Sequence, residues 1–187
     1  MIPKIIHYCW FGRGEMPKQA LQCIESWKRI MPNYELKEWT ENNFDIDSNL
    51  YVKQAYEARK FAFVTDYVRL YALYTEGGIY MDTDVEALKP YDPFLSHHAV
   101  SGFETDGNVP TGMMAAEKGA VWAKELLEGY ANRTFIKEDG SFDMTTNTDV
   151  ITRYMLSKGL LLNNKYQDIP GLCTMSVSYT HLTLPTT

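Results

Sequence analysis

Phe61-Ala62-Phe63-Val64-Thr65-Asp66-Tyr67-Val68-Arg69-Leu70-Tyr71-Ala72-Leu73-Tyr74-Thr75-Glu76-Gly77-Gly78-Ile79-Tyr80-Met81-Asp82-Thr83-Asp84 is the stretch from which the fold is read. Phe61 to Thr75 is apolar almost all round, which predicts a largely buried helix. Gly77-Gly78 stops it. Ile79 to Met81 is a short apolar strand that runs straight into Asp82-Thr83-Asp84.

Outward from this unit the alternation continues. Lys4 to Phe11 predicts a buried first strand, closed by Gly12. Pro17 opens a helix in which Ala20, Leu21, Ile24, Trp27 and Ile30/Met31 recur at helical spacing as far as Pro32. Tyr34 to Trp39 alternates as a half-buried strand, Glu41 to Asn49 is polar loop, and Leu50 to Ala58 is a helix. Val100 to Phe103 and Met113 to Ala116 predict strands, Val121 to Asn132 and Asn147 to Ser157 helices. Strands alternating with helices, with no repeat and no Pro/Gly/Ser-rich linker, predict one α/β layered domain.

The 187 residues hold 18 Lys plus Arg against 24 Asp plus Glu, a net charge of −6. Such a chain has no general electrostatic reason to bind nucleic acid or an anionic membrane. With 45% hydrophobic and 22% charged residues it falls in the globular range. No apolar run approaches the roughly 18 residues of a membrane span. The start, MIPKIIHYCWFG, lacks a signal-peptide layout, so a cytoplasmic protein is expected. Cys9, Cys23 and Cys173 are odd in number and widely spaced, which predicts reduced thiols. Val177 to Thr187, VSYTHLTLPTT, has no charge and no useful period. It matches the translation of a transposon adapter used in DNA library preparation. Residues 176–187 are therefore expected to be a non-native or disordered tail, and 1–175 the domain.

The chemistry starts at Asp82 and Asp84. Residues two apart in an extended chain point the same way, so both carboxylates project from one side of the strand end. Two hard oxygen donors there suit Mg²⁺ or Mn²⁺ together with a diphosphate, and ligands of open α/β sheets gather at the carboxyl ends of strands. An ordinary acidic turn is the alternative. Asp45-Ile46-Asp47 repeats the pattern, but lies among Asn and Ser and reads as solvated loop. Within the apolar helix only Asp66 and Arg69 carry charge, three apart and so on one face. They read as an internal ion pair, as the wall of a polar cleft, or as both. Tyr8 and Trp10 share one face of the first strand, as plain core or, for Trp10, as a stacking surface for a base. His7 reads as a hydrogen-bonded core histidine, His97-His98 as surface.

Together, IPKIIHYCWFG, the Trp27 and Trp39 spacing, FAFVTDYVRLYALYTEGGIYMDTDV and GFET…TGMMAAEKG resemble the sugar-binding-region glycosyltransferases containing a DxD motif. That group includes bacterial capsular polysaccharide synthesis enzymes and yeast initiating mannosyltransferases, and is distantly similar to the glucosylating domains of clostridial toxins. The resemblance runs from about Ile2 to Gly171. It implies a GT-A-like fold, a mixed and mostly parallel sheet flanked by helices, and an Mn²⁺- or Mg²⁺-dependent, retaining transfer of a sugar. The donor would be a nucleotide-diphosphate sugar, UDP-sugar favoured and GDP-sugar possible. The acceptor would be a saccharide or lipid-linked saccharide in capsular or surface polysaccharide synthesis, with at most peripheral association with the inner membrane.

By motif, the resemblance makes Asp84 the direct metal ligand, aided by Asp82. Asp66, Arg69, Asp82 and Asp84 are the catalytic set; Trp10, Tyr8, Thr65, Asp66, Arg69, Tyr80 and Asp82 contact the donor. Relatives close the site with a C-terminal His and a Ser-Trp pair; native-looking sequence here ends near Met175, so a C-terminally truncated domain without that cap is expected. Asn147-Thr148 stands where relatives place a turn with Pro, a departure expected to touch no named site residue. Two other readings stay open: an inactive nucleotide-sugar-binding module, and a sugar nucleotidyltransferase, for which Gly12-Arg13-Gly14 is too short a phosphate loop.

Overall fold

A computed structural model of the chain describes residues 1–104 and 108–175. The expectations for 176–187 and for a closing segment concern residues outside these, as does Thr105 of the GFET motif.

Seven strands form one sheet: β1 (Ile5–Cys9), β2 (Glu35–Trp39), β3 (Gly78–Met81), β4 (Ala99–Ser101), β5 (Met113–Ala116), β6 (Gln167–Ile169) and β7 (Cys173–Met175). Their order is β2-β1-β3-β5-β4-β7-β6. Five helices accompany them: α1 (Lys18–Ile30), α2 (Leu50–Glu57), α3 (Phe61–Thr75), α4 (Val121–Glu128) and α5 (Asn147–Ser157). The architecture is α/β and layered. The sheet is mixed, as expected, but not mostly parallel. The β1–β2, β1–β3 and β4–β7 pairs are parallel, whereas β3–β5, β4–β5 and β6–β7 are antiparallel. Strand direction depends on which distant strand supplies the neighbour, and no local pattern encodes it.

The sheet is covered on both faces. Alternation sends Ile79, Met81, Met113 and Ala115 against Ile24 and Trp27 of α1. It sends Tyr80, Met114 and Ala116 to the opposite face, with Val64 and Val68 of α3, Trp122 of α4 and Ile151 of α5. The α1 stripe is Ala20, Cys23, Ile24 and Trp27; Leu21, expected in it, is 54% exposed. No described helix is long and apolar enough to cross a membrane. Cys9, Cys23 and Cys173 are buried, and no two of them are joined in a disulfide.

The α3–β3 corner explains Gly77-Gly78. Both glycines have positive φ, +69° and +114°. A Cβ on Gly77 would collide with the Lys118 backbone nitrogen, and one on Gly78 would lie 2.7 Å from the Ile5 carbonyl oxygen. Only glycine fits such a turn packed so closely against neighbouring backbone. His7, fully buried, secures the corner. The Trp39 indole N–H donates to His7 Nδ1 at 3.1 Å, so the ring hydrogen sits on Nε2, which donates to the Gly77 carbonyl at 2.7 Å.

Burial lowers the His7 pKa below its ordinary value. The unfolded ring takes up a proton as pH falls through about 6.5, while the folded ring resists. The stability His7 contributes is therefore full above that pH and is lost as pH falls toward the lowered folded value. Urea denaturation midpoints are expected to drop between about pH 7.5 and about pH 5.5, and to drop less in His7→Gln. An equal drop in both proteins contradicts this assignment.

Candidate active site

β3 delivers Asp82 to the carboxyl edge of the sheet, beside the ends of β1 and β2. Two residues beyond Tyr80, it keeps to the α3 face. There the Tyr80 hydroxyl donates to Asp82 Oδ1 at 2.7 Å, and Arg69 Nη2 lies 3.4 Å from the same oxygen. Among the described residues, nothing bonds Oδ2. The Asp82 N–H donates to the Gly112 carbonyl at 2.7 Å, so backbone pairing with the β5 side continues one residue past the strand.

Arg69 is 5% exposed, and its charge must be matched inside the protein. Nη1 donates to the Thr111 carbonyl at 2.6 Å and Nε to the Thr65 carbonyl at 3.4 Å. Nη2 also pairs with Asp66 Oδ1 at 3.2 Å, and the guanidinium carbon lies 4.7 Å from the centre of the Tyr80 ring. Burial opposes the charge, but Asp82 foremost, with Tyr80 and Asp66, outweighs it and raises the Arg69 pKa. The internal Asp–Arg pair read as one alternative is thus present. The Arg69 N–H groups face protein acceptors, two of them carboxylates.

Asp66 is held from two sides. Oδ1 faces Arg69, while Oδ2 accepts from the backbone N–H of Asn147 at 3.2 Å; the Asn147 side-chain Nδ2 donates to the Asp66 carbonyl at 2.9 Å. Burial raises the Asp66 pKa, with Arg69 and the Asn147 N–H opposing the rise. The expectation that the Asn147 turn touches no site residue is overturned. The contact spans 81 residues of sequence, and only packing of α5 against α3 creates it.

Asp84 stands further out and is exposed. Partial desolvation of its carboxyl, and then the negative charge of Asp82, raise its pKa. A cation between two such carboxylates would relieve that repulsion. Among the described residues no cluster of three or more His, Cys, Asp or Glu side chains could hold a metal. The two carboxylates themselves are hard oxygen donors, the type that Mg²⁺ or Mn²⁺ takes alongside water and phosphate.

Residues 17–101, which include this aspartate pair, match the family described as the glycosyltransferase sugar-binding region containing the DXD motif. Residues 17–101 thus carry the sugar-binding region of the DXD-containing glycosyltransferases. Inositol phosphoceramide mannosyltransferase 3 of Schizosaccharomyces pombe is 30% identical over 138 residues, covering 72% of this chain and 38% of that protein. Inositol phosphoceramide mannosyltransferase 1 of the same yeast is 29% identical over 106 residues, 51% of this chain and 32% of that one. The chain thus spans about a third of the length of these relatives. Among solved structures, the PaToxG glycosyltransferase superposes with a TM-score of 0.62 at 17% identity, covering 84% of this chain and 69% of that one, a likeness of fold.

Other parts of the molecule fall into place around the aspartates. Tyr80, expected to contact the donor, is 1% exposed, and its hydroxyl serves Asp82 instead. Thr65 contributes its backbone carbonyl to Arg69. Tyr8 packs edge-on against Trp27, with ring centres 5.6 Å apart, on the α1 side of the sheet. Half-buried Trp10 donates its indole N–H to the Gly14 carbonyl at 2.7 Å, closing the loop after β1. Within that loop the Gly12 N–H already donates to Glu41 Oε1 at 2.5 Å, which leaves it unsuited to cradle phosphate. Asp45 caps its own turn by accepting from the Asp47 N–H at 3.0 Å, and Asp47 pairs with Lys53 at 2.8 Å, the solvated role expected.

Sequence reasoning missed several supports. Trp27 donates to the Val85 carbonyl at 2.7 Å, and the Ser26 hydroxyl accepts from the Ala87 N–H at 2.9 Å, so α1 anchors the chain just past the DXD motif. A tryptophan and a serine adjacent on a helix gave no signal beyond core packing.

Tyr80→Phe is expected to cost about 1–3 kcal/mol of stability by removing a bond to a carboxylate. Arg69→Leu is expected to cost more, about 3–5 kcal/mol, because it strands two carboxylates. Urea denaturation at neutral pH measures both, and the reverse order contradicts the network.

Proposed function

We propose that the protein transfers a hexose, in the first instance mannose, from a nucleotide-diphosphate sugar to an acceptor hydroxyl, with a divalent cation and with retention of configuration. The observation that carries this reading is Asp82 held at the carboxyl end of β3 by Tyr80 and Arg69, with Asp84 two residues on, inside the matched DXD region. Mannose and a lipid-borne acceptor are favoured by the names of the two yeast relatives, both inositol phosphoceramide mannosyltransferases. UDP-sugars, and a surface-polysaccharide acceptor, are the competing pair.

Asp84 and the unbonded oxygen of Asp82 would hold Mn²⁺ or Mg²⁺. When bound, the cation would neutralise charge gathering on the departing diphosphate. The chain's own part is arrangement. Tyr80 and Arg69 fix one oxygen of Asp82 and leave the other turned to the ligand. The buried Arg69 charge pairs with Asp66 and Asp82 and holds both carboxylates in place before the donor arrives. Asp66, on the same network, would accept hydroxyls of the donor sugar. The acceptor oxygen bonds to the anomeric carbon as the bond to the diphosphate oxygen breaks, and the hydroxyl proton passes to the leaving diphosphate. Attack on the face the diphosphate leaves preserves configuration. Positioning and electrostatics supply the rate without a covalent nucleophile.

The test is a donor screen that includes GDP-mannose and UDP-glucose, with Mn²⁺ and with chelator, read by product formation. Asp84→Asn is expected to lower turnover at least about a hundredfold, while Asp45→Asn, the outlying repeat of the motif, leaves it unchanged. Normal turnover in Asp84→Asn would falsify the metal assignment. Calorimetric binding of nucleotide diphosphate with Mn²⁺ but no product from any donor would favour a binding module instead.

A further inference from the structure

We infer that Asn147 is a positioning residue of the transfer site, acting through Asp66. The inference rests on the sugar-transfer reading above.

The first turn of α5 bonds Asp66 directly and reaches Arg69 through Thr111. Asn147 bonds Asp66 twice, through its backbone N–H to Oδ2 and through Nδ2 to the carbonyl. Its neighbour Thr148 meets the Thr111 hydroxyl at 3.2 Å, and the Thr111 carbonyl is the acceptor of Arg69 Nη1. One helical turn on, Thr152 Oγ1 accepts from the Val109 N–H at 3.0 Å. One face of α5 therefore holds the 109–111 segment against Arg69 while its first residue holds Asp66. The turn is itself secured: Thr146 caps it by accepting from the Asp149 N–H at 3.2 Å. Before the cap, Arg133 clamps the incoming chain through Asp143 at 2.7 Å and the Thr145 carbonyl at 3.2 Å.

The identity of residue 147 separates positioning from packing. Asn147 is 1% exposed, and among the described residues its buried Oδ1 has no hydrogen-bond partner. An unbonded buried oxygen is costly, and the start of a helix favours an acidic residue over an amide. Aspartate would fill the same space and suit the helix better. It would also set a second carboxylate against Asp66 and lose the donor that holds the Asp66 backbone. The amide is the residue that serves Asp66 at the expense of the helix.

Substitution makes opposite predictions for the two roles. If residue 147 only packs and starts a helix, Asn147→Asp is at least as active as Asn147→Ala. If it positions Asp66, Asn147→Asp is the slower, by about tenfold in kcat, a factor typical of coupling between contacting groups. The exchanged pair Asp66→Asn/Asn147→Asp, which restores one carboxylate and one amide, then recovers activity over Asn147→Asp alone. Thermal denaturation of each variant accompanies the kinetics. Should Asn147→Asp not fold, Thr148→Val decides: loss of one neutral hydrogen bond is expected to lower kcat about threefold at unchanged donor KM. Equal or higher kcat in Asn147→Asp than in Asn147→Ala, or unchanged kcat in Thr148→Val, overturns the inference. Absence of sugar transfer by the unsubstituted protein overturns the proposed function instead.

Discussion

A buried guanidinium organises this protein. Arg69 lies inside α3 with almost no access to water, and an arginine cannot shed its charge to escape such a place. The interior must answer it with acceptors aimed from several directions. It does so with Asp66 one turn away, Asp82 from the strand end, and the carbonyls of Thr65 and Thr111. The acceptors come from three stretches of chain: the preceding turn of α3, the end of β3 and the 109–111 segment. Satisfying one cation therefore ties the helix, the strand end and the 109–111 segment into a single rigid corner.

That corner lies where strand direction changes. β1, β2 and β3 run parallel and end at one edge, and β5 returns antiparallel beside β3. The parallel strands point their last residues toward a ligand, and the returning segment brings Thr111 and Gly112 back over the same edge. The Gly77-Gly78 turn lets α3 fold back at the opposite end closely enough for His7 to bond it. On the far face, Trp27 and Ser26 hold the chain after Asp84, so the two aspartates are carried between α3 and α1.

Much of this was legible in the chain. Phe61–Thr75, Met113–Ala116 and Asn147–Ser157 form the elements their patterns predicted, because each has a strong period and a clear stop. β6 and β7 were missed: three residues each are too short to show alternation. At the site, the spacing of Asp66 and Arg69 on one helix face, and the end of an apolar strand at Asp82, were local facts and could be read. Tyr80 was read as a donor contact. An aromatic beside an acidic pair looks the same whether it faces ligand or interior, and the sheet's two-sided cover turned it inward. Asn147 carried no signal at all, since its partner lies 81 positions away.

The sequence alone determined the layered α/β class, the buried helix with its single ion pair, and the carboxylates at a strand end, because hydrophobic period and residue spacing are written along the chain. Tertiary structure alone decided strand directions, the inward turn of Tyr80, and the grip of α5 on Asp66. Those depend on which distant surfaces meet, and a buried charge selects its partners from whatever the fold brings within hydrogen-bond reach.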